Sequence, residues 1–165
     1  MKGRGFKPRR KVRKGTTASA GAVPRPGREA TIVHHEEDLI SAFFAPNRRE
    51  RYLEFLRRPE TRRKSLPEMC HVRVLDPRHL VFIPPSQQHP ELIAEILSKR
   101  GAPQTCWVTT ENLEIDGKEM PLLEALREVV GYGMGTFLSC ISGQLAYFEG
   151  EAMKARWILE RKTAN

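Results

Sequence analysis

The segment PLLEALREVVGYGMGTFLSCISGQLAYFE, residues 121–149, decides the fold class. Its first part sets apolar residues at helical spacing after a proline, which suits the first turn of a helix. Gly131 supplies a helix stop, and two short apolar runs, 136–141 and 144–149, then flank a Ser-Gly turn. The pattern predicts a helix, a glycine turn and two neighbouring strands, so helices and strands should share one core.

The glycines at 131, 133 and 135 raise the question of a phosphate-binding loop. Such loops run from a strand into a helix, where free N–H groups and the positive helix end meet the anion. This segment leaves a helix and enters a strand, and it matches neither G-x-G-x-x-G nor G-x-x-x-x-G-K. We therefore predict that Gly131 caps the helix in a left-handed conformation, while Gly133 and Gly135 allow a tight return to the sheet.

The rest of the chain divides into short elements of both kinds. In chain order we predict two helices within 36–58 separated at Pro46, strands at 69–75 and 79–83 joined as a hairpin by Asp-Pro-Arg, a helix from Pro90 to Gly101, a strand at 105–110, the elements of 121–149, and a C-terminal helix containing Ala152, Met153, Trp157 and Ile158. Helical crossovers between strands favour parallel pairing. The prediction is an α/β fold, with α+β as the alternative: one domain whose mixed sheet of about five strands contains two β-α-β crossovers.

Positive charge is concentrated at the N-terminus. The chain carries a formal net charge of +8, yet residues 1–28 hold ten basic and no acidic side chains, which leaves 18 basic against 20 acidic in residues 29–165. The first segment also has too few apolar groups to offset its ordering entropy. We predict a disordered basic tail at 1–28 and a single globular domain at 29–165.

The tail is the best functional clue in the sequence. Cations spaced by Gly and Pro are typical of an arm that neutralises nucleic-acid phosphates without reading sequence. A second basic cluster follows in the helical region, where the alternative is a solvated helix face with Tyr52 and Phe55 packed inward. The predicted contacts to RNA or DNA are Lys2, Arg4, Lys7, Arg9, Arg10, Lys11, Arg13, Lys14, Arg48, Arg49, Arg57, Arg58, Arg62 and Arg63.

A different function class follows from the opposite charge bias of residues 101–151, which hold eight acids against two cations. A polarised surface of this kind also suits a protein-interaction module, or a tail that binds an acidic protein or the domain's own acidic side. No RNA-binding fingerprint stands in the domain, so sequence-specific recognition is not predicted.

The third class is a small hydrolase or transferase. If the crossover-linked strands are parallel, their loops meet at one sheet edge and bring together His89, Glu111, Cys140 and Ser142. Cys140 or Ser142 would be the nucleophile, His89 the base, and Glu111 or Asp116 the group that orients it. Against this, LSCISG does not match the G-x-S-x-G elbow, and Cys140 stands in an apolar run typical of a core thiol. An enzyme is the less favoured hypothesis.

Metal, cofactor and membrane signals are weak. Cys70 and His71 are neighbours in a predicted strand, so their side chains would point to opposite faces, and we predict neither a metal nor a cofactor. Three isolated cysteines indicate a reducing cytoplasm, with an organelle transit peptide as the alternative use of the basic N-terminus. No window approaches the roughly 20 apolar residues of a membrane span, so no membrane partner is predicted. The oligomeric state stays open.

Overall fold

The computed structural model describes residues 28–161, with side chains from residue 34 onward. Apart from Arg28, the predicted basic tail lies outside the described residues. The helices are α1 (Arg28–Phe43), α2 (Pro46–Leu56), α3 (Pro59–Met69), α4 (Pro90–Ser98) and α5 (Leu122–Val129). The strands are β1 (Leu80–Phe82), β2 (Thr105–Thr110), β3 (Glu119–Pro121), β4 (Thr136–Ile141), β5 (Leu145–Glu149) and β6 (Arg156–Glu160), and 3₁₀ turns cover Val72–Val74, Pro77–His79 and Pro85–Gln87.

The six strands form one sheet in the order β1-β6-β5-β4-β2-β3, and every neighbouring pair is antiparallel. Because side chains alternate between faces along a strand, the register sorts the core into two rows. Phe137, Phe148 and Trp157 lie side by side on one face, with the Phe137 and Phe148 rings stacked at 4.7 Å between centroids. Leu138, Tyr147 and Ile158 form the matching row on the other face.

Helices cover both faces of the sheet. On the first face, α1, α2 and α3 bury Leu39, Phe43, Tyr52 and Met69 against the aromatic row, and we call these helices the α1–α3 layer. On the second face, α4 and α5 bury apolar side chains against the strands, and we call these the α4–α5 layer. The molecule is therefore a three-layer mixed α/β domain with the sheet in the middle.

The predicted parallel crossovers are wrong. β1 lies at one edge of the sheet and pairs only with β6, so the helix that follows it does not lead to a neighbouring strand. β2 and β4 are neighbours, but they are antiparallel. The reason is β3, which reverses the chain before α5 begins. Helix α5 then returns to the end where β2 finished, and β4 must run in the opposite direction.

Two local predictions are also wrong. The predicted hairpin at 69–75 and 79–83 keeps only its second strand, because α3 continues to Met69 and two 3₁₀ turns follow. Asp76 fixes the second turn, since its carboxylate accepts the Arg78 N–H at 3.0 Å. The predicted C-terminal helix is instead β6, whose side chains alternate between the two faces and whose backbone is paired on both sides.

Other predictions are confirmed. The helix break at Pro46, helix α4, and strands β2, β4 and β5 lie where the sequence patterns place them. Gly131 ends α5 with φ +92° and Gly133 has φ +69°, both in the region that favours glycine. Gly135 serves a different purpose: a Cβ there would lie 2.1 Å from the Cβ of Cys70, so helix α3 ends in direct contact with the start of β4.

Among residues 28–161, none of the helices combines the length and the apolar character needed to cross a membrane.

Candidate nucleic-acid interface

The predicted arginines of the second basic cluster lie on α2, on α3 and on the two residues that connect them. The two helices pack against each other, and we call them and their connection the basic hairpin. Arg57, Arg58 and Arg63 are exposed, and Arg48 and Arg49 are half-buried. Tyr52 is fully buried between the helices and the sheet, as expected if the aromatic side chains of this region pack inward. The basic hairpin therefore presents several guanidinium groups to solvent.

Arg62 behaves differently from its neighbours. Its Nε donates to Glu36 of α1 at 2.8 Å, and its Nη1 donates to Asp116, in the loop after β2, at 2.7 Å. Thr109 also donates to the Glu36 carboxylate, at 3.0 Å. Burial by itself would lower the pKa of Arg62, but the hydrogen bonds to the two carboxylates outweigh it and raise the pKa. Arg62 therefore links α3 to α1 and to the loop after β2, and its guanidinium is not available to a phosphate.

A cavity of about 310 Å³ lies beside the basic hairpin, and we call it the arginine pocket. Its lining residues are Ser41, Ala42, Arg49, Arg78, His79 and Arg161. The three arginines come from three separate segments: α2, the 3₁₀ turn at Pro77–His79, and the residue after β6. Among the predicted nucleic-acid residues that the structure describes, Arg49 is the one that enters this cavity.

Sheet pairing explains why distant arginines meet here. β1 pairs with β6 in the register Leu80 with Leu159. The 3₁₀ turn that carries Arg78 directly precedes β1, and Arg161 directly follows β6, so antiparallel pairing puts both at the same end of this strand pair. The Arg161 N–H donates to the Gln144 carbonyl at 3.0 Å, which fixes the chain at the pocket rim.

Two of the pocket arginines are held in place by the fold. The Nε of Arg49 donates to the Phe44 carbonyl at 2.9 Å, which leaves its terminal amino groups without a partner in the described part of the chain. Arg78 donates through Nε and Nη2 to Asp76, at 3.0 and 2.6 Å. Those bonds lower the pKa of Asp76 to about 2. Held guanidinium groups lose little further entropy on binding an anion.

The structure does not bring the four catalytic candidates together in one place. Cys140 is buried, its thiol lies 3.6 Å from the Leu138 carbonyl, and burial raises the pKa of the thiol, which disfavours the nucleophilic thiolate. Ser142 donates to Asp38 at 2.6 Å rather than to a histidine. The predicted acid–base partners lie elsewhere in the fold.

Because the strands are antiparallel, Glu111 and His89 do not lie at the same edge of the sheet as Cys140 and Ser142. The Glu111 N–H donates to the Gly135 carbonyl at 3.2 Å, at the beginning of β4, whereas Cys140 lies at the end of that strand. The Glu111 Oε1 atom is buried and has no hydrogen-bond partner among the described residues. His89 is exposed at the start of α4, after the edge strand β1. The predicted common edge required parallel strands, which the sheet lacks.

A second buried arginine stands at the far end of the sheet, on the α4–α5 side. Arg156 donates to the Glu149 carboxylate at 3.2 Å and also to the Gln88 side-chain carbonyl. The same carboxylate accepts from the Tyr147 hydroxyl at 2.7 Å and from the Gly131 N–H at 3.0 Å. In the glycine turn, the Gly131 N–H therefore donates to the Glu149 carboxylate of the domain itself. We call this group the Arg156 cluster.

Sequence reasoning missed Arg78, His79 and Arg161 as pocket residues. Isolated basic residues in DPRHL and in LERK carry no pattern that separates them from ordinary surface cations. The same holds for Arg62 beside Arg63, because only the position relative to Glu36 makes one half-buried and the other exposed. Within residues 34–161, no three His, Cys, Asp or Glu side chains cluster as metal ligands would.

Comparison with known proteins finds no matching family model, no matching curated protein and no matching solved structure.

Proposed function

We propose that this domain is a non-enzymatic binding module that contacts RNA or DNA through phosphate groups. The basic arm at 1–28 supplies electrostatic attraction, and the basic hairpin with the arginine pocket supplies the folded part of the surface. Arg62 is left out of the proposed contacts because it is paired inside the domain. The proposed folded contacts are Arg48, Arg49, Arg57, Arg58 and Arg63, together with Arg78 and Arg161.

The observation that carries the proposal is the composition of the arginine pocket. Every polar side chain in its lining is a hydrogen-bond donor, and none is a carboxylate. Guanidinium groups match the geometry of phosphate oxygens and form charge-assisted pairs with them. Glu160, which borders the neighbouring depression, pairs with Arg100 at 3.4 Å. A concave surface of this chemistry favours an anionic ligand.

The first test is the binding of labelled RNA and duplex DNA across a salt series. Because α1 begins at Arg28, cutting the chain there would remove the start of a helix. The arm is better tested in the full chain, with its eight cations between residues 2 and 14 replaced by glutamine. We expect weaker binding and a shallower salt dependence, by about 0.7 in the log–log slope for each single-strand phosphate that the arm no longer neutralises.

The folded contacts need their own variant pair. Arg57→Gln combined with Arg58→Gln removes two exposed charges from the basic hairpin and should weaken binding further. Lys99→Gln combined with Arg127→Gln removes the same charge from the α4–α5 layer and should leave binding close to that of the wild type. Absence of binding to both nucleic acids at low salt would overturn the proposal.

Protein interaction is the second candidate function, and exposed apolar side chains at the glycine turn favour it. Tyr132 is 70% exposed and Met153 is 91% exposed, and the turn approaches the Glu151 backbone. A partner recovered by the wild type but lost with Tyr132→Ser and Met153→Ser would support this function. Leu113→Ser, at another exposed apolar position, is the matched control.

The cytoplasm is the proposed compartment. Cys70, Cys106 and Cys140 are all free, buried thiols, as expected for a chain that folds in a reducing environment.

A further inference from the structure

We propose that the arginine pocket binds a terminal phosphate monoester of a nucleic-acid strand, so that the domain recognises a phosphorylated strand end. This inference rests on the proposed function and names the ligand group for one part of the surface. It adds a selectivity that an arm contacting backbone phosphates lacks, because such an arm binds any stretch of the polymer.

The size and position of the cavity favour a strand end. At about 310 Å³ it lies at the lower limit of small-ligand pockets, which suits one phosphate group with its adjoining sugar. The walls come from α1, α2, the 3₁₀ turn at Pro77–His79 and the end of β6. A continuous backbone would have to enter and leave this concave site, whereas a terminal group needs only to enter.

The charge of the pocket also matches a monoester. Arg49, Arg78 and Arg161 supply three positive charges, and Asp76 compensates one of them through Arg78. Two positive charges remain without an acidic partner in the described residues. A phosphate monoester carries about −1.5 to −2 at pH 7, whereas a backbone diester carries about −1. The terminal group is therefore the closer electrostatic complement.

The available donors come from separate segments of the chain. Arg49 keeps its two terminal amino groups for the ligand, because its Nε is bonded to the Phe44 carbonyl. Arg78 keeps Nη1, because Nε and Nη2 are bonded to Asp76. The Ser41 hydroxyl and the His79 ring complete the lining. A monoester has three terminal oxygens to accept these donors, and a diester has two.

The test compares three internally labelled RNA strands of one sequence, carrying a 5′ phosphate, a 3′ phosphate or hydroxyl groups at both ends. Binding to the full-length wild type is measured by fluorescence anisotropy at fixed salt. We expect at least one phosphorylated strand to bind about tenfold more tightly than the hydroxyl strand, which corresponds to about 1.4 kcal/mol. The preferred end identifies which strand terminus the pocket recognises.

Two variants and one control connect this preference to the pocket. Arg49→Ala and Arg161→Ala should each bring the ratio of affinities close to one. Arg161 is exposed and its described hydrogen bond is made by the backbone, so Arg161→Ala should fold even if Arg49→Ala does not. Arg127→Ala removes one charge from α5 and should keep the tenfold ratio. An unchanged ratio in Arg161→Ala would overturn the proposal.

A mononucleotide separates failure of this inference from failure of the proposed function. Uridine 5′-monophosphate and uridine are each titrated into the full chain, and the amide NMR signals of Ser41 and Ala42 are followed. Equal strand affinities without nucleotide shifts would overturn the pocket inference and leave the general phosphate binding standing. Shifts with the nucleotide but no binding of any strand would show binding of a free monoester only, and would overturn both the recognition of a strand end and the proposed function.

Discussion

The basic hairpin and the α4–α5 layer differ in charge although both pack against the same sheet. Helices α2 and α3 together hold six cations and four acids, whereas α4 and α5 together hold one cation and four acids. Helix α1 adds Glu36, Glu37 and Asp38 to the first face, so the positive excess belongs to the basic hairpin and not to the whole α1–α3 layer. A negatively charged ligand would therefore be attracted to the basic hairpin more than to α4 and α5.

The layers also differ in how each buries an arginine. In the α1–α3 layer, Arg62 faces the two carboxylates of Glu36 and Asp116, so this group carries an excess negative charge. In the Arg156 cluster one carboxylate meets one guanidinium, and neutral donors complete its hydrogen bonds. The comparison indicates that Arg62 compensates more buried charge than Arg156 does.

Arg62→Met should cause the largest loss of stability. The substitution leaves Glu36, which is 2% exposed, and Asp116 without their common cation. Removal of one partner from a buried ion pair costs about 3–5 kcal/mol in the free energy of unfolding. Urea denaturation followed by tryptophan fluorescence measures this loss.

The neighbouring arginine supplies the control for that measurement. Arg63 is exposed on the same helix, so Arg63→Met should change the free energy of unfolding by no more than about 0.5 kcal/mol. Adding Glu36→Gln to Arg62→Met should recover part of the loss, because one uncompensated charge is removed. Equal effects of the two single substitutions would show that Arg62 is not a structural ion pair.

Arg156→Met should be less damaging, with a loss of about 1.5–3 kcal/mol in the free energy of unfolding. Glu149 would keep the hydrogen bonds from the Tyr147 hydroxyl and the Gly131 N–H. Arg161→Met, five residues further along the chain and exposed, is the control in the same denaturation assay. A loss greater than that of Arg62→Met would reverse the proposed ranking of the two layers.

Gly135→Ala tests how closely α3 approaches the sheet. The added Cβ would lie 2.1 Å from the Cβ of Cys70, so the end of α3 must move, and overpacking of this kind costs about 1–3 kcal/mol. Gly150→Ala is matched to it, because Gly150 follows a central strand and its nearest heavy atom would be 3.6 Å away. Thermal unfolding should separate the two variants clearly. Similar melting temperatures would contradict the close approach of α3 to β4.

The smallest effect concerns His35, whose Nδ1 lies 2.9 Å from the Ser139 hydroxyl. Burial lowers the pKa of His35, and the nearby Asp38 carboxylate opposes that shift only in part. The folded state therefore favours the neutral ring. As the pH falls below about 6.5, the unfolded chain takes up a proton first, and stability decreases until the folded pKa is reached.

Denaturation of the wild type and His35→Gln at pH 7.5 and 5.5 measures that difference. The wild type should lose more of its free energy of unfolding between the two conditions than the variant does, and the partly exposed ring should keep the difference small. A wild type whose stability falls no more than that of His35→Gln would contradict the preference for a neutral ring.

Local sequence patterns predict most of the helices and strands, but they do not predict which strands pair or in which direction. Pro46 divides two helices, and alternating apolar residues identify β4 and β5, because these signals depend on near neighbours. The direction of β4 depends on β3, a strand of three residues too short to detect by periodicity. The β6 segment has apolar residues at spacings that suit a helix, and only its two partner strands select the extended form.

The candidate site also contains one residue that local sequence predicts and others that depend on strand pairing. Arg49 stands in an obvious basic cluster, which is enough to predict it as a nucleic-acid contact, whereas Arg78 and Arg161 lie 83 residues apart in an ordinary sequence context. Their meeting depends on β1 pairing with β6, which joins distant parts of the chain. The predicted gathering of His89 and Cys140 depended on parallel strands, and local sequence does not determine the antiparallel directions that the sheet has.

The position of β6 between β1 and β5 has a consequence for synthesis on the ribosome. Among the described strands, β1 pairs only with β6, and β6 is synthesised after all the others. Residues 80–82 therefore leave the ribosome long before β6, with which they form hydrogen bonds. Arg78 likewise leaves long before Arg161. β1 can join the sheet, and the arginine pocket can form, only when residues 156–161 have left the exit tunnel.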